Sequence, residues 1–169
     1  MPQFHVKIAD DALIFSAAHF ITYSGGQCEA LHGHNYRAVA EVAGPLDENR
    51  YVVDFIVLGQ RLKAILAELD HAVLLPTHHP SIRLAAGEKE VEVRFADRRW
   101  VFPLADCRLL PLANTTAELL AHHLAHRLLT ALKADGLRPD RVRIELEEWP
   151  GRWAVCELTE DSTEDSAEK

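Results

Sequence analysis

The sequence predicts a single α+β domain, and three observations lead to it. Segments near both ends alternate apolar and polar residues, the period of half-buried strands. Two longer segments between them carry apolar residues at helical spacing. Their order along the chain is strand, strand, helix, helix, strand, strand, with the helices lying on the sheet. A chain of 169 residues, 48% hydrophobic, suffices for one ordinary core and is short for two.

Phe4-His-Val-Lys-Ile8 alternates, Asp10-Asp11 turns the chain, and Ala12 to Phe20 resumes a strand-like run that delivers His19. Gly25-Gly26 places a loop over Thr22 to Glu29. Alternation returns over residues 34 to 43 through Tyr36, Ala38, Ala40 and Val42, and Gly44-Pro45 ends it. Two long strands in succession imply an antiparallel hairpin. After Val52-Val-Asp54-Phe55, the helical segment Ile56 to Leu69 lines up Leu58, Leu62, Ile65, Leu66 and Leu69, then runs into Asp70-His71. A second helix is expected to start at Asn114-Thr-Thr-Ala-Glu118, where Thr115 and Glu118 have capping-box spacing, and to end near Asp135-Gly136. Leu120, Leu124, Leu128 and Leu132 form its stripe. After Pro139, Arg141 to Glu147 alternates, Trp149-Pro-Gly151 turns, and Trp153 to Leu158 is the last strand.

The stretch from Leu75 to Asn114 is too long to be structureless in a compact domain. Within an insertion over about residues 77–112, Glu90 to Phe95 and Trp100 to Leu104 flank Ala96-Asp-Arg-Arg99 and read as an added, peripheral β-hairpin. The domain is expected to cover residues 1–159. Residues 160–169 hold Glu160, Asp161, Glu164, Asp165 and Glu168 against Lys169 and read as a disordered acidic tail.

A net charge of −8 argues against nucleic-acid or anionic-membrane partners, which need a basic surface. No stretch approaches the roughly eighteen apolar residues of a membrane span, and the first residues lack a signal-peptide pattern. Cys28, Cys107 and Cys156 are odd in number and form no Cys-x-x-Cys pair, as suits a reducing compartment. A cytoplasmic protein is expected.

The chemistry concentrates in Cys28-Glu-Ala-Leu-His32-Gly-His34-Asn-Tyr36. Histidines at i and i+2 of an extended strand share a face, so both imidazoles reach one metal ion without bending the backbone. Gly33 between them keeps that approach open, and His19 offers a third imidazole. Three neutral imidazoles leave a Zn2+ ion one ligand short of closed, the pattern of a catalytic site. Cys28 is then either a proton carrier beside the metal or a fourth ligand that closes it. His122 and His126 also have metal spacing on the second helix, but no third ligand follows, so a solvent or subunit face is the simpler reading; His78-His79 is read the same way.

Phe15-Ser-Ala-Ala-His19 and Leu31-His32-Gly-His34-Asn-Tyr36, taken together, resemble the 6-pyruvoyl-tetrahydropterin synthase / 6-carboxytetrahydropterin synthase family, over about residues 4–76 and 112–158. The resemblance implies zinc ligands at His19, His32 and His34, a catalytic thiol at Cys28 and an acid/base pair at Asp70 and His71. It implies pterin contacts at Thr116 and Glu118, and a pterin-anchoring carboxylate at Glu148. One carboxylate can accept both hydrogen bonds from the ring N–H and exocyclic amine of a pterin. Without the resemblance, Glu148 reads as one more charge beside Glu145 and Glu147 on an exposed strand. The implied fold is a tunnelling fold, a four-stranded antiparallel sheet with two helices on one face. Trimers form a barrel, often paired as hexamers, with sites between subunits.

Leu75, Thr115, Leu119, Trp149 and Val155-Cys156 depart from the family's usual residues, and the inserted hairpin is a further departure. The implied activity is a zinc-dependent lyase acting on the side chain of 7,8-dihydroneopterin triphosphate or a related reduced pterin. Arg37, Lys63, Arg83, Arg98 and Arg99 are candidates to meet its triphosphate. The rival readings are a pterin-binding or structural homologue that keeps zinc without turnover, and a metal-dependent hydrolase with Glu29 or Asp70 as base.

Overall fold

The computed structural model describes residues 3–159. In chain order its elements are β1 (Phe4–Ile8), β2 (Ile14–His19), β3 (Thr22–Tyr23), β4 (Gln27–Cys28), β5 (His32–Gly44), α1 (Phe55–Ala67), β6 (Ala72–Pro76), β7 (Arg83–Ala86), β8 (Glu90–Phe95) and β9 (Arg98–Pro103). A 3-10 turn (Leu104–Asp106), β10 (Cys107–Leu110), α2 (Ala117–Ala134), β11 (Arg141–Trp149) and β12 (Arg152–Thr159) complete it. The expected acidic tail lies outside the described residues.

The main sheet is built around β5. Its order is β10-β6-β2-β5-β11-β12, with β1 also paired to β5. β2 covers His32 to Arg37 and β1 covers Ala40 to Gly44 on the same edge, while β11 covers Arg37 to Ala43 on the other. Asp10 makes the break between β1 and β2: its carboxylate accepts from Ala12 N and its carbonyl from Leu13 N, while Leu13 O takes the Ala38 N–H and keeps the ladder continuous. The antiparallel part matches the expected strands, but the sheet has seven strands rather than four, and β6 pairs parallel with both β2 and β10. Ala72-Val-Leu-Leu-Pro76 is too deeply buried to alternate, so its sequence carries no strand period.

Both helices lie on the sheet face that carries Phe15, Tyr36, Ala38, Ala40, Val42, Val142, Ile144 and Leu146. In α1, Leu58, Leu62, Ile65 and Leu66 are buried, and in α2 so are Leu120, Leu124, Leu128 and Leu132. Each fully buried leucine stabilises the fold by about 1.5–3 kcal/mol. Asp54 caps α1 by accepting from Ile56 N and Val57 N. The capping box expected at Thr115 does not form. Thr116 is the N-cap, accepting from Leu119 N, and the buried Thr115 hydroxyl donates to Phe20 O. α2 stops as expected, with Gly136 in the left-handed region at φ 84°. The other face of the sheet is a lattice of charge pairs, Lys7 and Arg143 to Glu145, Arg141 to Glu41 and Glu157.

The expected hairpin is one pair in a separate three-stranded sheet, β7-β8-β9, turning at Ala96-Asp97. Its last connection returns as β10 to the main sheet, so the residue 77–112 segment is woven into the fold and not appended to it. Val91, Val93 and Phe95 bury against Phe20, Leu75, Ile82 and Cys107 in a second core, which Cys28 and Trp100 also touch. The hairpin is therefore less peripheral than its sequence suggested. No helix among the described residues is long and apolar enough to cross a membrane.

Candidate metal centre and active site

The register of β2 against β5 assembles the histidines. His19 pairs with His32, Ala17 with His34 and Phe15 with Tyr36, so the alternation that sends Tyr36 into the core sends His32 and His34 to the same face, beyond the helices. Gly33 lies between them because a Cβ there would stand 3.0 Å from the Ala17 carbonyl oxygen. One ring nitrogen from each of His19, His32 and His34 lies within 4.8 Å of the others, the one such group of three or more metal-ligand side chains among the described residues. His19 is buried and His32 and His34 are half-buried.

The donor set fits a metal. The Thr115 carbonyl can only accept, so the 2.8 Å contact from His19 Nδ1 fixes the proton there and frees Nε2 as a donor. His32 Nδ1 is held the same way by the Ala30 carbonyl at 2.9 Å. Burial pushes His19 down to about 4 and lowers His34 as well, so both are neutral ligands at physiological pH.

Glu148 closes the site from β11. Leu146 faces the core, and Glu148, two residues on, faces the histidines, where the register of β11 against β12 shifts. Its Oε1 lies 3.5 Å from His19 Nε2 and 3.8 Å from His34 Nε2, and accepts from the Tyr36 hydroxyl at 3.5 Å. Burial, with the Glu148 carboxylate beside it, raises the Tyr36 hydroxyl well above its usual range, so it stays a donor. Glu29 Oε2 lies 3.8 Å from His32 Nε2.

Asp70 and His71 form a joined pair. The Ser16 N–H, then the His71 ring, hold Asp70 below the usual carboxylate range. His71 Nδ1 lies 2.9 Å from Asp70 Oδ2, its N–H donates to Ser16 O, and its φ of 56° turns the exposed ring outward. An open cleft of about 730 Å3 is lined by His34, Glu148 and Trp149 together with His71, Asp106 and Asn35.

Cys28, Thr116 and Glu118 do not line that cleft. Thr116 is engaged as a helix cap and Glu118 is exposed in the first turn of α2. Cys28 is half-buried on β4, its thiol 3.5 Å from the Glu29 carbonyl. Burial raises the thiol, Arg98 pulls it down and Glu29 pushes it up. Of the cations considered for a triphosphate, Arg98 is taken by the Cys28 and Glu29 carbonyls, Arg99 by Glu92, and Arg37 by Asp11 and Glu147. His122 and His126 meet Nε2 to Nε2 at 3.1 Å, a contact that one N–H satisfies.

Sequence reasoning assigned no role to Tyr36, although the alternation that pairs His32 with His34 also places Tyr36 in line. The Thr115 carbonyl carries no side-chain signal and was not legible. His79 also has a fixed tautomer: its Nδ1 accepts from Ser81 N and Ile82 N, so Nε2–H donates to Thr22 Oγ1 at 2.7 Å.

Burial lowers His19, His34, His79, His123 and His126 alike. A histidine whose folded value lies below its unfolded value of about 6.5 contributes stability that is complete above that pH and lost as pH falls below it. Metal-free protein should therefore show a thermal midpoint that falls from pH 7 towards pH 4.5. A midpoint flat across that window, by calorimetry in chelator, would contradict the burial of these rings as neutral groups.

The sequence profile described as 6-pyruvoyl tetrahydropterin synthase matches residues 11–159. The chain is 32% identical over 122 residues to a Methanocaldococcus jannaschii protein with the provisional name 6-carboxy-5,6,7,8-tetrahydropterin synthase, covering 72% of this chain and 74% of that one. It is 26% identical over 136 residues to the 6-carboxy-5,6,7,8-tetrahydropterin synthase of Aquifex aeolicus, covering 80% and 77%. The solved 6-pyruvoyl tetrahydropterin synthase of Plasmodium falciparum superposes with a TM-score of 0.84 at 26% identity, over 93% of this chain and 98% of that one.

Proposed function

The chain belongs to the 6-pyruvoyl tetrahydropterin synthase family, and on that premise we propose that it is a zinc-dependent lyase acting on the side chain of 7,8-dihydroneopterin triphosphate or a closely related reduced pterin. The product is a 6-carboxy- or 6-pyruvoyl-tetrahydropterin, and the names of the relatives favour the 6-carboxy form. The observation that carries this reading is the convergence of three imidazoles beside the Glu148 carboxylate, at one end of a cleft that His71 also lines.

His19, His32 and His34 would hold the zinc through Nε2, and the bound ion supplies Lewis-acid polarisation of the side-chain hydroxyls. Glu148, steadied by Tyr36, accepts the ring N–H and exocyclic amine of the pterin and fixes its orientation. Thr116 and Glu118, outside this cleft within one chain, would contact the ring in the assembled site. Cys28, as thiolate, takes the carbon-bound proton and returns it. Asp70 orients His71, which moves the second proton from its free Nε2.

Cys28 and His71 do not share a cleft within one chain, which agrees with sites completed between copies. We place the chain in a trimer whose sheets close into a barrel, or in a hexamer of two such trimers. The exposed Trp153 and Val155 on edge strand β12, and Phe55 and Ile56 at the start of α1, support such packing. Free thiols at Cys28, Cys107 and Cys156 accord with a cytoplasmic setting.

The raised Cys28 thiol, and Trp149 at the cleft, favour one rival, a zinc-keeping pterin binder without turnover. Mass spectrometry of zinc-loaded protein incubated with 7,8-dihydroneopterin triphosphate separates them. The expected result is conversion to a single 6-substituted tetrahydropterin; substrate bound but recovered intact would establish the binder.

A further inference from the structure

The inserted three-stranded sheet reaches the thiol through one side chain. Arg98 is the first residue of β9, directly after the Ala96-Asp97 turn. Its Nη1 donates to the Cys28 carbonyl at 2.7 Å and to the Glu29 carbonyl at 2.9 Å. Its guanidinium carbon lies 4.6 Å from the centre of the Trp100 ring, two residues along the same strand. Trp100 stacks on Phe20, with ring centres 4.7 Å apart and planes 14° from parallel. Phe20 is buried and follows His19 directly, and its carbonyl accepts from the Thr115 hydroxyl. Thr115 in turn holds His19 Nδ1. Arg98, Trp100 and Phe20 thus form a continuous stack between the Cys28 backbone and the strand end that carries a metal-ligand candidate.

We propose that Arg98 is a positioning residue for Cys28, contributed by the insertion: held over the Trp100 ring, it clamps the Cys28 and Glu29 carbonyls and fixes where the thiol points. The proposal rests on the reading of Cys28 as the proton carrier. β4 is only two residues long and pairs with the equally short β3, so its own ladder holds the thiol weakly. A planar guanidinium serves both carbonyls through Nη1 while its carbon stays over the aromatic ring, which supplies the missing rigidity; an ammonium has donors enough for the carbonyls but no second group to leave over the ring. The thiol itself donates to the Glu29 carbonyl at 3.5 Å, so one cation braces the group towards which the sulfur is turned. The charged groups felt by the thiol are Arg98 from β9 and Glu29 from its own segment; on β3 it is paired with the uncharged Thr22, and the second core beneath is apolar.

The test uses full-length, zinc-loaded protein and the variants R98K and R98Q. Peptide-resolved mass spectrometry follows iodoacetamide labelling of Cys28 across pH, apart from Cys107 and Cys156, and turnover of 7,8-dihydroneopterin triphosphate is measured in parallel. In R98Q the labelling midpoint of Cys28 should rise by about one pH unit through loss of the neighbouring cation, and kcat should fall about 10-fold or more with KM little changed. R98K should restore the midpoint, because it keeps the charge, and recover only part of kcat, because it loses the planar clamp. If the glutamine variant does not fold, R98K alone decides, since its kcat should fall while its midpoint stays. Wild-type kcat in R98K, or a Cys28 midpoint in a folded R98Q equal to the wild-type value, would overturn the proposal. In a protein whose wild type converts no pterin, an R98K variant with an unchanged Cys28 midpoint but an altered limiting labelling rate would sustain the clamp and refute the enzymatic reading instead.

Discussion

Cys28→Ala is expected to abolish the chemical step while leaving the metal in place. Cys28 lies outside the group of three imidazoles, and its side chain packs at the margin of the second core. Removing a half-buried sulfur there should leave zinc content, assembly and pterin affinity at wild-type levels. Turnover should fall at least the roughly 100-fold that a positioned acid/base group contributes, and further if the thiolate is the sole base for that carbon. Glu148→Gln should give the converse pattern, weaker pterin binding with zinc retained, because the amide keeps the shape and loses the charge-assisted acceptor. Zinc lost from Cys28→Ala would make the thiol a fourth ligand. Unchanged turnover would move the base elsewhere, with Glu29, 3.8 Å from His32, and His71 as the groups to examine.

His32→Ala should strip the metal. Wild-type protein is expected to hold about one zinc per chain, and a site with three protein ligands tolerates the loss of none. His32 is half-buried and belongs to neither core, so its removal opens no core and separates metal loss from misfolding. Elemental analysis after gel filtration should find little zinc in the variant. Turnover should fall beyond the 10–100-fold typical of disturbing an outer hydrogen-bond partner. Added zinc should raise the thermal midpoint of metal-free wild type, by about 4 kcal/mol of stabilisation at a thousandfold excess over Kd, and leave the variant unmoved. Wild-type protein isolated without metal under gentle conditions would defeat the metal assignment.

The strands and helices legible in the sequence were those whose two faces differ. β5 alternates because one face meets the helices and the other the charge lattice, and the same alternation made His32 and His34 readable as a pair. The leucine stripes of α1 and α2 were readable for the same reason. β6 was not, since it is buried almost throughout, and the four-residue β10 is shorter than any period that would reveal it. The helix cap was misplaced by one residue because Thr115 and Thr116 are chemically alike, and only the position of the Phe20 carbonyl decides between them. Cys28 was identified by its offset from His32, but its tie to Arg98 spans 70 residues and left no local trace. Glu148 was found through the family resemblance alone; its neighbours Glu145 and Glu147 look identical in sequence and face away from the histidines.

The pairing of β5 changes along its length, and amide exchange should register that change. From Ala40 to Ala43 the strand is held on both edges, by β1 and by β11, over a core that both helices cover. From His32 to Tyr36, among the described residues, it is held by β2 alone, because the pairing with β11 ends at Arg37. Protons in the first stretch leave only when the whole domain opens, whereas those in the second can leave through a local fluctuation. His32 and His34 therefore occupy the segment where protection falls away. A bound ion or ring would act there as the second neighbour that this end of the strand lacks, slowing exchange at residues 32–36 and leaving 40–43 as slow as before.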